Sequence, residues 1–204
     1  LNSEKKVSNM RLVVIAALSY LIGSFSSAYV VGKLFMKIDI RKHGSGNAGA
    51  TNAVRIMGKK LGVLTFLMDF TKGIIAVLIG IYLHNGFGGY ISALFAVIGH
   101  NWPVFLNFKG GKGIATTIAA MAVLSFPTTL LSVVIGILTA VITKYVSLGS
   151  IVFLSLLFLL TSMGVFVKDP YLTALTAVLA ILGYYRHREN IKRLLAGNEN
   201  RIGR

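Results

Sequence analysis

"HGSGNAGATN", residues 43–52, decides how the rest of this chain is read. Gly44, Gly46 and Gly49 satisfy G-x-G-x-x-G, the turn that cradles a pyrophosphate in a dinucleotide-binding α/β domain. That fold needs a strand before the glycines and a helix after them. Here a long apolar run from Leu12 and a basic linker precede them, and the chain offers no strands for a parallel sheet. Two readings remain. The stretch is a flexible loop at a membrane surface, or it is a backbone nest whose N–H groups converge on an anion at a helix start. Ser45, Asn47, Thr51 and Asn52 add neutral hydrogen-bonding groups. Arg55 falls four residues after Thr51, on the same helix face, where its guanidinium can clamp a phosphate.

Composition excludes the soluble alternative. The 204 residues are 55% hydrophobic and 13% charged, with a mean hydropathy of +0.75; a soluble domain carries about 25% charged residues. The expected fold is an all-α polytopic membrane protein. Residues 1–11 read as an N-terminal extension and 12–204 as one membrane domain. A crossing needs about 20 apolar residues, which places helices near 12–34, 62–83, 90–107, 113–126, 128–143, 148–167 and 170–186. The fourth and fifth are short and flank Pro127, so they form either two crossings or one bent element. Seven crossings are the expectation. The first apolar run is too long for a signal-peptide core.

Charge orients the helices. The net charge is +15, from 21 Lys and Arg against six Asp and Glu. With seven crossings, Lys37, Arg41, Lys42, Arg55, Lys59, Lys60, Lys109, Lys112, Lys144, Arg186, Arg188, Lys192, Arg193, Arg201 and Arg204 share one face. The positive-inside rule makes that face cytoplasmic and the N-terminus external. Lys5, Lys6 and Arg11 then lie on the other side with Lys168, against the rule. The excess charge suits anionic ligands and anionic lipid headgroups. It does not suit nucleic acid, since no basic run is interleaved with stacking aromatics. The absence of cysteine removes disulfides and thiolate metal sites.

Two further clusters lie on the same face. In "GHNWPVFLNFKGGKGIATT", residues 99–117, Pro103 and Gly110, Gly111 and Gly113 interrupt the helix, and Lys109 and Lys112 bracket a glycine pair. The spacing fails the P-loop pattern. A lone interfacial Lys often snorkels to lipid headgroups, but one inside Gly-Gly-Lys-Gly at a helix start is a candidate anion ligand. His100 reads as a satisfied interfacial histidine. In "YYRHRENIKRLLAGNENR", residues 184–201, a basic amphipathic tail on anionic lipid accounts for Arg188, Lys192 and Arg193. His187 and Asn190, three apart on one face, are not needed by that reading. Asp69 and Lys72, at i and i+3 within a crossing, are expected to neutralise each other. Ser147 is a candidate hydroxyl ligand. There is no G-x-S-x-G elbow and no His-x4-Asp signature of soluble-loop glycerolipid acyltransferases.

"GSGNAGATNAVR", "GHNWPVFLNFKGGKGIATT" and "RHRENIKRLLAGNE", in that order, resemble the three motifs of the bacterial acyl-phosphate–glycerol-3-phosphate acyltransferases of the PlsY type. "YLIGSFSSAYVVGKL", "GVLTFLMDFTKG" and "KYVSLGSI" also fit, so the resemblance runs from about residue 19 to the end. It implies an inner-membrane enzyme of seven helices with its active site on the cytoplasmic face. The reaction implied is transfer of a fatty acyl group from acyl phosphate to the 1-hydroxyl of glycerol 3-phosphate. Lysophosphatidic acid and phosphate result, and no cofactor is used. Partners are the two substrates and membrane lipids; the oligomeric state stays open, a monomer included. By carry-over, Ser45, Arg55, Lys112, His187 and Asn190 form the catalytic set. Gly44, Gly46, Asn47, Thr51, Asn52, Gly110, Gly111, Gly113 and Ser147 line the substrates. The hydroxyl proton goes to His187, or to a substrate phosphate with His187 as hydrogen-bond donor. A transporter for an anionic solute is the other class that broken, glycine-rich helices suit, although the sequence shows no duplicated half.

Overall fold

The computed structural model describes residues 2–202, with side chains from Lys6 onward. The expectations for Lys5 and Arg204 lie outside the described side chains. Among the described residues the chain is helical and contains no strand. It divides into two compact units, Leu1–Leu124 and Ser125–Arg204.

The first unit holds α1 (Asn2–Ser24), α2 (Ser27–Met36), α3 (Ala50–Asn101) and α4 (Ile114–Leu124). The helix expected over 12–34 differs in two ways. It starts at Asn2, inside the supposed extension, and it breaks at Phe25 and Ser26. Serines offer the backbone competing hydrogen bonds, and "GSFSS" concentrates them. The Phe25 N–H tightens onto Ile22 O at 3.2 Å, and Ser26 is extended. The apolar stretch Ala50–Leu106 counts 57 residues. As one straight helix it would reach about 85 Å, against a hydrocarbon core of about 30 Å. It therefore folds back twice. Gly58 (φ 80°) and the pair His84 and Asn85 (φ −154° and 50°) leave helical geometry. Glycines let the returning stretches touch. A Cβ on Gly62 would stand 2.2 Å from Val54 Cγ2, and one on Gly88 would stand 2.1 Å from the Gly80 carbonyl oxygen. The expected 62–83 and 90–107 helices are thus parts of α3. The second ends at Asn101, because Pro103 stops it and Val104–Leu106 forms a 3-10 turn. α1 packs on α3 through Gly23 and Gly99, whose added Cβ atoms would lie 2.1 Å from Ala96 O and 2.2 Å from Tyr20 O. Small residues that admit a neighbouring backbone are how helices associate in lipid.

The second unit holds α5 (Phe126–Thr143), α6 (Val146–Ser162), α7 (Pro170–Arg186) and α8 (Arg188–Leu195). Ser125 separates α4 from α5, so the Pro127 region ends one helix and starts another. Gly136 and Gly149 bring α5 against α6. The Thr161 and Thr176 hydroxyls meet at 2.7 Å between α6 and α7. Asp169 caps α7 by accepting from the N–H groups of Tyr171 and Leu172 at 2.8 and 3.0 Å, with Pro170 at the first helical position.

Among the described residues three helical stretches are long and apolar enough to cross a membrane: Lys6–Met36, Ala50–Leu106 and Phe126–Thr143. Large apolar side chains face outward, including Ile142, Leu34 and Val13. Water would penalise that surface and lipid does not. Thr139 and Thr143 return their hydroxyls to carbonyls four residues back, at 2.8 and 2.6 Å, so neither donor is left in hydrocarbon.

Candidate functional site

The first glycine loop is built from the inside. Asn52 on the first turn of α3 is buried. Its Oδ1 accepts from the Ser45 N–H at 3.0 Å, and its Nδ2 donates to His43 O at 3.0 Å. Gly44 (φ 60°) must be glycine: a Cβ there would lie 2.4 Å from Asn52 Oδ1. Gly46 (φ 71°) donates its N–H to His43 O at 3.1 Å. The amides of Ser45 and Gly46 are therefore used within the loop. The nest reading is corrected for those two groups, and Asn52 shapes the loop from behind. Ser45, Thr51 and Arg55 are exposed and Asn47 is half-buried.

Arg41 ties this loop to the next. It pairs with Asp39 at 2.7 Å, lies over the Tyr29 ring at 5.2 Å, and donates to Leu106 O at 2.9 Å. The Arg41 guanidinium, hydrogen-bonded to the carboxylate, lowers the Asp39 pKa from 3.8 to about 2. A depressed carboxylate pKa contributes stability that is full above the ordinary value and lost as pH falls through the lowered one. The pair is thus expected to survive acidification through pH 4 and open near pH 2. A carbon-13 NMR titration of Asp39 checks this, and Arg41→Ala should return the midpoint toward 3.8.

The second loop leaves α3 at Asn101 and enters α4 at Ile114. The Gly111 N–H donates to His100 O at 3.1 Å. A Cβ on Gly110 would stand 2.2 Å from that same carbonyl oxygen and 2.4 Å from Pro103 Cδ. Gly113 adopts φ 78°. Lys109 is exposed and Lys112 half-buried. Behind the loop, Asp69 Oδ1 lies 2.8 Å from Lys72 Nζ, 2.7 Å from Ser27 Oγ and 3.4 Å from His100 Nδ1. The neutralisation expected of Asp69 and Lys72 holds. Lys72 also donates to Phe25 O at 2.6 Å, satisfying the carbonyl freed by the break between α1 and α2. Removing one member of such a buried pair costs about 3–5 kcal/mol. His100 is satisfied, as expected, and it is so by joining this buried cluster through Asp69 and Thr116.

In the second unit, Ser147 lies buried on the first turn of α6. His187 sits between α7 and α8, 2% exposed, with Nδ1 2.8 Å from Gly183 O. A carbonyl only accepts, so Nδ1 carries the proton and Nε2 of the neutral ring is an acceptor. A donor role toward substrate then belongs to the imidazolium. Asn190 Nδ2 donates to Glu199 Oε1 at 2.8 Å, and Arg193 Nε donates to Glu199 Oε2 at 2.9 Å. The tail continues to the turn before Ser147: Arg201 donates to the Tyr145 hydroxyl at 3.1 Å and the Ile202 N–H to Lys144 O at 2.8 Å. Glu199 escaped the sequence reading. Its signal was that of one of only two carboxylates, with Glu189, in a basic tail.

Glycine-built loops at the ends of long apolar helices define an integral membrane protein. The glycerol-3-phosphate acyltransferase family model matches residues 13–197. A glycerol-3-phosphate acyltransferase of Thermoanaerobacter pseudethanolicus is 47% identical over 95% of this chain and 97% of its own. That of Alkaliphilus metalliredigens is 48% identical over 95% and 96%. The crystal structure of PlsY, an integral membrane glycerol 3-phosphate acyltransferase, in its glycerol 3-phosphate form superposes with a TM-score of 0.87. It shares 38% identity over 94% of this chain and 96% of that one. Its lysophosphatidic acid form gives 0.84 at 37% identity, over 94% and 95%. The chain belongs to the glycerol-3-phosphate acyltransferase family, and the transporter reading falls.

Proposed function

We propose that this protein transfers a fatty acyl group from acyl phosphate to the 1-hydroxyl of sn-glycerol 3-phosphate, on the cytoplasmic face of a bacterial inner membrane that it crosses seven times. The observation that carries the reading is the pair of glycine loops in the first unit, joined by Arg41 and presenting Ser45, Arg55 and Lys112. Both substrates are anions and one carries a fatty chain. Cations at the end of apolar helices suit phosphate heads in water and a tail in lipid. The relatives' name and the glycerol 3-phosphate and lysophosphatidic acid forms of PlsY support the acceptor and the product.

Acyl phosphate is an activated anhydride, so alignment and charge neutralisation supply most of the catalysis. Lys112 and Arg55 neutralise phosphate oxygens, and Ser45 and Ser147 supply hydroxyls. Gly44, Gly46, Asn47, Thr51, Asn52, Gly110, Gly111 and Gly113 shape the loops that receive the substrates. In the proposed route His187, its Nδ1–H committed to Gly183 O, acts as the imidazolium whose Nε2–H donates to the acceptor oxygen, and Asn190 beside it contributes a further polar contact. The hydroxyl oxygen attacks the acyl carbon, the bond from that carbon to the bridging oxygen breaks, and inorganic phosphate leaves. The hydroxyl proton goes to a phosphate oxygen. Because a general base is worth about 10²–10⁴-fold, His187→Gln separates the two proton routes. A loss of about tenfold or less is expected in a steady-state assay; a loss beyond a hundredfold makes His187 the base.

Donor choice tests the reaction. Purified protein in detergent, given glycerol 3-phosphate, is expected to turn over palmitoyl phosphate and to ignore palmitoyl-CoA; the reverse preference overturns the donor. Orientation is separately testable, since the chain has no cysteine. A membrane-impermeant thiol reagent is expected to label Lys168→Cys in intact cells and Lys42→Cys only after permeabilisation. The opposite pattern inverts the topology.

A further inference from the structure

The loop bearing Lys112 is held by groups that the proposed chemistry leaves unused. Asp69, Lys72 and His100 are charged or titratable and only 1%, 5% and 6% exposed, inside the first unit. Burial of such groups needs compensation, and the pairing of Asp69 with Lys72 at 2.8 Å provides it. That pairing does not explain why His100 joins them.

The geometry around His100 does. Its Nδ1 edge faces the Asp69 carboxylate at 3.4 Å and the Thr116 hydroxyl at 3.5 Å. Its opposite edge meets the loop: a Cβ on Gly111 would stand 2.0 Å from His100 Nε2. The imidazole therefore spans from Asp69 to the α-carbon of the residue before Lys112. The same histidine's carbonyl accepts the Gly111 N–H at 3.1 Å. The exit of the loop is fastened to the same anchor. Thr116, on the first turn of α4, donates to Asp69 O at 3.3 Å, and the Thr117 N–H donates to Gly113 O at 2.7 Å. Entry and exit of Gly110-Gly111-Lys112-Gly113 are thus both referred to α3, the entry to His100 and the exit to Asp69, which themselves meet.

We propose that Asp69 and His100 are positioning residues: the Asp69 carboxylate fixes the His100 ring, the ring props the Gly110–Gly113 loop, and the loop sets the place of the Lys112 ammonium. Lys72 holds the Asp69 carboxylate in its place beside the ring. The inference rests on Lys112 as the anion ligand of the proposed reaction. A ligand misplaced by about 1 Å can cost a hundredfold in rate, so a buried prop beneath the glycine loop has a large lever.

A double-mutant cycle tests it, because residues acting through one another are non-additive. His100→Phe keeps the ring volume and removes the nitrogen that faces Asp69. Measured as kcat/KM with palmitoyl phosphate and glycerol 3-phosphate, it is expected to lose more than tenfold, mostly in KM for glycerol 3-phosphate. In a Lys112→Ala background the same change is expected to cost less than twofold. His100→Asn, whose amide can reach back to Asp69, is expected to recover part of the loss and serves in the same cycle if the Phe variant does not fold. An equal loss in both backgrounds overturns the proposal and makes His100 a structural residue. No loss in either background overturns it as well. If the unmutated protein shows no turnover, or Lys112→Ala alone costs nothing, the proposed reaction or its anion ligand fails instead, and the two failures are told apart.

Discussion

Lys112→Ala is expected to lower kcat/KM by about 10²–10³-fold, the range found when one preorganised group that stabilises developing charge is removed. The size comes from where the lysine sits. It is the half-buried cation of the second loop, whereas Lys109 three residues before it is exposed. A half-desolvated ammonium interacts with phosphate through less water than a surface one. Lys109→Ala is therefore expected to change the rate less than about threefold and to act mainly through salt dependence. Lys112→Arg keeps the charge but replaces a compact head with a planar fork. It should recover only part of the activity. Initial rates for the three variants at fixed ionic strength check the ordering; equal losses for Lys109→Ala and Lys112→Ala would show a diffuse basic surface in place of a site.

The second large effect is expected at Gly110. An alanine methyl there would stand 2.2 Å from His100 O and 2.4 Å from Pro103 Cδ. One neighbour is backbone and the other is a proline ring, so neither gives way as the tip of a flexible side chain would. Overpacking of this kind costs about 1–3 kcal/mol, and the loop can relieve it only by moving away from His100. Such a move carries Lys112 with it. Gly110→Ala is expected to lose at least tenfold in activity together with several degrees in thermal midpoint. Gly86→Ala is the control. Nothing lies within 4 Å of its added Cβ, and it should match the parent within about 0.5 kcal/mol. The contrast is read from melting curves in one detergent alongside the rate.

The glycine loops were legible in the sequence, and their wiring less so. Apolar runs located α4, α5 and α7 to within two residues, because membrane helices must satisfy their own backbone and so must be long and apolar, whereas the run expected over 148–167 ends as helix at Ser162. Pro103 and the glycines marked where α3 ends. The break at Phe25 and Ser26 was not legible, since the run is apolar enough to continue and the deciding partner, Lys72, is 47 positions away. Asn52 illustrates the same limit inside the site. Its side chain looks like a ligand in "GATNAVR", yet it turns inward to bond Ser45 N–H and His43 O. Only the folded loop tells which way an amide points. Asp69 and Lys72 were legible as a pair through i, i+3 spacing. The entry of His100 into that pair, 31 positions beyond Asp69, was not.

The central claim is acyl transfer from an acyl phosphate, and one labelled substrate tests it most directly. Palmitoyl phosphate carrying oxygen-18 at the bridging position is supplied with glycerol 3-phosphate, and both products are weighed by mass spectrometry. Attack at the acyl carbon leaves the bridging oxygen with phosphorus. The expected result is labelled inorganic phosphate and unlabelled lysophosphatidic acid in equal amounts. Label retained in free palmitate, or phosphate released without lysophosphatidic acid, would mean attack at phosphorus or simple hydrolysis and would contradict the assignment.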